Sequence, residues 1–342
     1  MLGALPLVRY RIFGRAARSC WGTNSGILAE MADLRVPLLD REWAEPVLRA
    51  MLEFLHTQRT GNPGLLDLGK VPFDDPFRSM LLAVCADLDL PYRLGDSYER
   101  GAIVRRDEDH YWEKAITAKR RHDIKRRKRA LERDHGGSVV LRDRSADQQF
   151  IPEFIDFESN GWKGQAGSGG RGLQVSTGAA DWFSEVFGEL QRQHRVIFHS
   201  LEIGEDVLYM SACLSSGDTM FCWRDAYAEK WARYGTGFLG RLAAMELFNG
   251  RPQLAYLDTT TIPEYATTTA MYPDRRRISA LVIAVGGLPD RSLIRSLPHL
   301  KQAGHIMARV QAKAGVLVRS ALAKLVSIKD RLRKRTAKPF EP

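Results

Sequence analysis

The chain has 342 residues, more than a single hydrophobic core of ~250–300 residues holds, so two domains are expected. With 44% hydrophobic and 27% charged residues the composition is that of a globular protein, and the formal net charge is +10. Apolar runs such as Leu281 to Val285 are far short of the ~20 residues a spanning helix needs. Cys20, Cys85, Cys213 and Cys222 show neither C-x-x-C spacing nor a disulfide framework. His194 and His199 have no Cys or carboxylate nearby in a ligand pattern, so no metal site is expected.

The first 29 residues carry Arg9, Arg11, Arg15 and Arg18 and no acid, a charge bias shared with transit peptides. Leu5 to Val8 is too short for a secretory apolar core, so the stretch reads as a strand with basic flanks in a cytoplasmic protein. Leu5–Tyr10, Leu34–Leu39, Leu65–Leu68 and 102–104 are read as strands. Between them, Trp43–Gln58 places Leu48, Met51, Leu52 and Leu55 on one helical face, and Pro76–Leu88 is a second helix. A long helix over 111–134 follows, closed by His135-Gly136-Gly137. The second half repeats the theme. Strand 139–141 and helix 148–159 precede a glycine-rich loop, a helix over 179–193, and a hairpin of 195–201 with 207–214. Strand 219–224, helix 238–248, strand 254–257, a short helix over 263–272 and strand 278–285 complete the chain. This alternation predicts an α/β fold with a mixed sheet covered by helices.

The charge is concentrated in two segments. Residues 119–133 hold nine Lys/Arg against Asp123 and Glu132, a net of +7. Residues 301–342 hold eleven against Asp330 and Glu341, a net of +9, so the rest of the chain carries −6. The first segment suits an anionic ligand, such as the phosphates of a nucleotide cofactor, a lipid-linked sugar or RNA. Arg120 and Arg126 are its candidate contacts. In the second, Ile306, Val310, Ala314, Leu317, Ala321, Leu325, Ile328 and Leu332 fall at steps of three and four, one stripe of an amphipathic helix among cations. That helix over 306–335 has three candidate neighbours: the protein's own body, a partner complex, or an anionic membrane leaflet.

Three constellations carry candidate chemistry. Glu158 begins Glu-Ser-Asn-Gly-Trp-Lys-Gly, with Trp162 and Lys163 ahead of glycines 164, 167, 169, 170 and 172. A carboxylate beside an aromatic ring and a lysine in a glycine-rich loop can orient an acceptor. Trp223-Arg224-Asp225-Ala226-Tyr227 leads to Arg233, Tyr234 and the Gly235-Thr236-Gly237 start of a helix, where small residues let backbone N–H groups approach a pyrophosphate. The competing reading of Thr236 is an ordinary helix cap. Tyr256-Leu257-Asp258 ends a strand, and Tyr265 and Tyr272 flank the short helix.

Taken together, 102–285 resembles the CelD/BcsL-type acetyltransferases, a branch of the GNAT superfamily associated with bacterial cellulose and exopolysaccharide synthesis. The matching segments are the basic helix Lys119–Arg129, Phe157–Gly164, Trp223–Tyr227, Thr236-Gly237 and Asp258. The resemblance implies two GNAT-like lobes, 1–137 and 138–287, the first lacking its opening elements, followed by the basic tail 288–342. It implies transfer of an acyl group from acyl-CoA to an amine or hydroxyl of an anionic or sugar-type acceptor, without metal. Under it Glu158 or Asp225 is the base or acceptor clamp and Tyr272 protonates the leaving thiolate. Arg233, Gly235, Thr236 and Gly237 hold the pyrophosphate, while Trp162, Lys163, Tyr227 and Asp258 line the acceptor groove. The chain departs from the family at Tyr265–Tyr272, which contains no lysine, and at Ala232, which stands three residues before Gly235 where the superfamily loop has Arg or Gln. The alternatives are a FemAB-like transferase drawing aminoacyl groups from tRNA and an inactive GNAT scaffold binding a polysaccharide synthase. Specific DNA binding is not expected.

Overall fold

In a computed structural model of the protein, the chain winds around one mixed sheet of ten strands. The structure describes residues 1–12, 18–23, 25, 31–57, 63–73, 75–108, 111–165, 172–262 and 266–296. The amphipathic tail 306–335 and Tyr265 lie outside the described residues.

The strands in chain order are β1 (Gly3–Ala4), β2 (Val8–Ile12), β3 (Arg18–Gly22), β4 (Leu38–Leu39), β5 (Leu65–Pro72) and β6 (Tyr92–Val104). They continue as β7 (Val140–Asp143), β8 (Val196–Ile203), β9 (Asp206–Ser216), β10 (Thr219–Tyr227), β11 (Tyr256–Asp258) and β12 (Asp274–Ala284). The helices are α1 (Ala44–Thr57), α2 (Pro76–Asp87), α3 (Ala118–His135), α4 (Phe150–Ser159), α5 (Ala179–Arg192), α6 (Thr236–Asn249) and α7 (Ala266–Thr269). The main sheet runs β2-β3-β5-β12-β6-β11-β10-β9-β8-β7, and β1 pairs with β4 in a separate ribbon. Two neighbouring pairs are parallel, β3 with β5 and β10 with β11, one in each half of the sheet. The last strands change places: β12 lies between β5 and β6, and β6 lies against β11.

Four of these elements differ from the sequence reading. Residues 34–37 are not a strand, because only Leu38 and Leu39 pair, and they do so with β1. β3 has no counterpart in that reading. β6 has 13 residues where only 102–104 read as a strand. Its earlier part, Tyr92–Gly101, is rich in charge and is held extended by antiparallel pairing with β12, while β11 pairs only with Ala102–Val104. The long basic helix is broken at its start: Tyr111–Ala115 is a 3-10 turn, and Thr117 caps α3 by accepting a hydrogen bond from the Arg120 N–H at 3.3 Å.

Packing follows sequence period. In β8, Val196 and Phe198 face one side while Ile197 and Leu201 face the other, and all are buried. On one face α4 and α5 bring Phe150, Phe154, Phe183 and Phe187 against Phe198 and Trp223, with ring centroids 4.2 Å apart for Phe150 and Phe198. On the other face α3 and α6 contribute Ile124, Leu131, Leu239, Met245 and Phe248. α1 and α2 cover the first half of the sheet through Leu48, Leu52, Leu81 and Val84. No described helix is long and apolar enough to cross a membrane.

The two halves are locked by charge. The fully buried Arg100 of β6 lies 2.5 Å from Asp258 of β11, and Arg276 of β12 reaches the same carboxylate oxygen at 2.8 Å. Arg100 also donates to the Asp33 carbonyl at 3.0 Å. Removing one partner of a buried pair leaves charge uncompensated, so Arg100→Met is expected to cost about 3 kcal/mol or more. Urea unfolding measures this, and a loss below about 1 kcal/mol would mean that Arg276 alone satisfies Asp258.

Candidate active site at a splayed parallel strand pair

β10 and β11 keep register for three pairs only, Thr219 with Tyr256, Met220 with Leu257, and Phe221 with Asp258. β10 then bulges between Phe221 and Arg224 and runs on to Tyr227, whereas the chain after Asp258 turns away. Thr260 makes that turn at φ 52°, held by its hydroxyl to the Cys222 carbonyl at 2.7 Å and its N–H to Asp258 at 2.9 Å. The strands therefore part into a crevice, where side chains take over backbone groups of β10 that no longer pair: Thr260 holds the Cys222 carbonyl and Lys163 the Asp225 carbonyl.

Charges of alternating sign line the crevice. Glu158, at the end of α4, is buried and accepts from Arg224 at 2.6 Å and from the Leu173 N–H at 2.9 Å. Lys163 lies 3.6 Å from Glu158 and 3.8 Å from Asp225, and it donates to the Asp225 carbonyl. Asp225 also meets Arg241 of α6 at 3.0 Å and accepts from the Tyr209 hydroxyl at 3.1 Å. Burial disfavours the Asp225 carboxylate, yet Arg241 and Lys163 outweigh it and hold its pKa below the ordinary range. Tyr272 is buried in the same chamber near Cys222, Arg241 and Asp225, and burial raises its phenol well above 10. Its ring occupies the space beside Gly101 of β6, where an added Cβ would stand 2.7 Å from Tyr272.

The small-residue helix start is the N-terminus of α6. Gly235, at φ 73°, is the N-cap of α6, so Thr236 is the first helical residue and does not cap. The Thr236 hydroxyl is buried without a hydrogen-bond partner. Gly237 faces Tyr227 and the tip of Arg241 at 3.5 and 3.3 Å from an added Cβ. α3 lies beside this start. A pocket of about 160 Å³ is lined by Arg120, Asp123, Ile124 and Arg127 of α3 with Tyr234, Gly235 and Phe238. The Arg120 guanidinium stands over the Phe238 ring at 5.0 Å, and Arg127 donates to the Arg233 carbonyl at 3.2 Å. Arginines in the first turns of α3 oppose its macrodipole, an unfavourable placement that an anion in the pocket would relieve.

The structure thus brings Glu158, Lys163, Asp225, Tyr227 and Tyr272 to one crevice, and Gly235, Thr236, Gly237 and Arg120 to one pocket. The Trp162 N–H donates to Glu229, and the residue is 38% exposed. Arg126 points to solvent and pairs with Asp123 at 2.6 Å. The Arg233 side chain is largely exposed near Asp134. Asp258 is buried between Arg100 and Arg276 and does not face the crevice mouth.

Sequence reasoning missed Arg241, Tyr209, Arg127, and the neighbours Cys213 and Cys222. The two thiols stand on paired strands on the α6 side of the sheet, the second packed against the cluster that holds the first. A hydrogen bond from Cys222 and the nearby His199 pull the Cys213 pKa down against burial, while Cys222 is pushed up. Their signal was present, since Cys213 and Cys222 flank the turn at Gly217 at nearly equal distances.

Residues 118–262 match the model of the acetyltransferase (GNAT) domain. The matched stretch starts at α3 and ends just past the Thr260 turn, so it holds both the pocket and the crevice. The match supports acyltransferase chemistry with an acyl-CoA co-substrate on a GNAT-type fold. Among solved structures, FemX shares 8% identity at a TM-score of 0.50 over 81% of this chain and 84% of its own, a likeness of fold alone. The C-terminal domain of a putative lysylphosphatidylglycerol synthetase from Agrobacterium fabrum gives 12% identity and a TM-score of 0.46, covering 84% of this chain and 86% of that one. A tandem GNAT protein from the clavulanic acid biosynthesis pathway gives 12% identity and a TM-score of 0.37 over 79% and 76%. No curated protein matches the chain.

A lowered folded-state pKa means that the unfolded chain binds more protons at acid pH, so Asp225 stabilises the fold above about pH 3.9 and ceases to do so as pH falls through its folded value. The stability gap between wild type and Asp225→Asn is therefore expected to narrow from about pH 6 toward about pH 3 in urea titrations. A gap unchanged across that range would mean that folding does not lower the Asp225 pKa.

Proposed function

We propose that the protein transfers an acyl group from acyl-CoA to an amine or hydroxyl of an anionic or sugar-type acceptor. The observation that carries this reading is the joint between pocket and crevice: the α3 arginines face the start of α6, and that helix carries Arg241 into the crevice beside Asp225. The pyrophosphate lies against the first N–H groups of α6 and Arg120 and Arg127, with Arg233 at the rim. The acyl thioester then reaches between β10 and β11.

Within that crevice Asp225, ionised at neutral pH, accepts a proton from the attacking amine or hydroxyl as its lone pair bonds to the thioester carbon. The C–S bond breaks, and the departing thiolate takes the proton of Tyr272, which burial keeps neutral. Glu158 has its carboxylate filled by Arg224 and the Leu173 N–H, so we assign it the role of clamp for the loop that carries Trp162 and Lys163. Those two side chains, with Arg224 and Tyr227, form the acceptor groove, and their cations favour an acceptor bearing carboxylate or phosphate beside its nucleophile. A sugar of the cell envelope or an exopolysaccharide precursor fits that description, in the cytoplasm where acyl-CoA is available. Asp258, spent on Arg100 and Arg276, supports the crevice from behind.

A second reading is favoured by Lys119, Lys125 and Arg129, which are exposed along α3 and suit a longer polyanion, such as an RNA-borne acyl donor. A thermal-shift series with acyl-CoAs and tRNA separates the two, because a ligand at about 100 times its dissociation constant adds ~2.7 kcal/mol of stability. A shift with acyl-CoA alone is expected. A shift with tRNA alone would transfer the site to an RNA-borne donor, and no shift with either would leave an inactive scaffold.

Two substitutions test the assignments. Gly237→Val places branched carbons where the pyrophosphate would meet the helix, while an added Cβ meets only Tyr227 and the tip of Arg241. Acyl-CoA affinity should drop at least about tenfold, ~1.4 kcal/mol, in a protein that melts normally; equal affinity by calorimetry removes the loop from the site. Tyr272→Phe should lower kcat by ~10²-fold, the usual scale for a lost general acid, with KM nearly unchanged. Steady-state kinetics with a thiol-trapping readout would refute the role if kcat held.

A further inference from the structure

α1 is apolar on two opposite faces. Leu48 and Leu52 are buried against the sheet. Across the helix, Trp43 just before it and then Pro46, Ala50 and Phe54 recur at steps of three and four, and all are exposed, Trp43 at 51% and Phe54 at 61%. A helix in water keeps such a second stripe only at a cost unless something covers it. The rim of the stripe is acidic. Asp40, Glu42, Glu45 and Glu53 stand against Arg41 and Arg49, and the Arg49 guanidinium is already held by Asp87 at 2.6 Å and Glu45 at 3.4 Å.

The path of the chain leads to this face. His56, near the end of α1, bonds the Val285 carbonyl at 2.8 Å, just before the helix over 288–296. That helix buries Ile294 and pairs Arg295 with Asp89 at 3.4 Å, beside the end of α2 whose Asp87 touches Arg49. Nine residues, 297–305, separate it from the basic amphipathic stripe that begins at Ile306, and they reach up to ~30 Å. The segment has what the surface lacks: apolar residues in one stripe, and a net charge of +9 over 301–342.

We propose that residues 306–332 fold back as a helix on the exposed stripe of α1, with Leu317, Ala321 and Leu325 against Trp43, Ala50 and Phe54. The basic residues of the segment then face the acidic rim, and the helix becomes an integral part of the body.

Hydrogen exchange of the full-length protein, read by mass spectrometry on peptides from 306–332, from α1 and from β6, tests this. Tail amides should be protected at least about tenfold over the same sequence as a free peptide, equally at about 1 and about 50 μM protein. Ala50→Arg on the body and Leu317→Glu on the tail should each abolish that protection while β6 exchange stays at its wild-type rate. Wild-type tail amides that exchange as a free peptide would overturn the proposal. So would protection that rises with protein concentration, which indicates a second copy, or protection seen only with vesicles containing phosphatidylglycerol, which indicates a membrane. Protection that survives both substitutions would place the tail elsewhere and equally refute it.

Discussion

A single buried carboxylate ties together strands from both halves of the sheet. Asp258 closes β11, and its partners come from β6 and β12, the two strands that change places between the halves. Neither arginine is adjacent in sequence to Asp258, so the pair forms only when the ten-stranded sheet is complete. Charges taken out of water tolerate little misplacement, because the attraction between them must offset several kcal/mol of lost hydration per ion. The site depends on that geometry. Asp258 also fixes the Thr260 turn, and the Thr260 hydroxyl holds the Cys222 carbonyl at the point where β10 and β11 part.

From that point outward the crevice is organised by charge pairing. Lys163 lies between Glu158 and Asp225, and Arg241 holds the far oxygen of Asp225. Asp225 is thereby kept ionised despite its burial. Gly240 allows α6 to bring Arg241 so close: an added Cβ there would stand 2.4 Å from the Tyr209 ring. The same helix start faces the arginines of α3, so one rigid element links the anion pocket to the crevice. Removing water from such a joint strengthens every interaction within it.

Much of the fold was legible where burial follows a simple period. α1, α2, α4, α5 and the β8–β9 hairpin were readable because their apolar residues recur at helical or strand spacing. The start of β6 was not, since Arg93, Asp96, Glu99 and Arg100 look like a loop until β12 pairs along them. In the site, the glycine-rich loop and the Gly235–Gly237 helix start announce themselves by local composition. Arg241 and Tyr209 do not, because on their own elements each is an ordinary residue of a helix or a strand.

The sequence by itself determined most of the element types, the mixed α/β class, the two concentrations of positive charge and the local motifs, because all of these rest on residues within a few positions of one another. Only the tertiary structure decided which charges are spent on holding the sheet together and which line the crevice. Asp225 and Asp258 illustrate the difference. Both are aspartates of neighbouring parallel strands, and both read as site residues. The strand exchange buries Asp258 between Arg100 and Arg276, while the bulge in β10 leaves Asp225 at the opening with Lys163 and Arg241. Such a distinction depends on long-range strand order, which no local pattern of residues encodes.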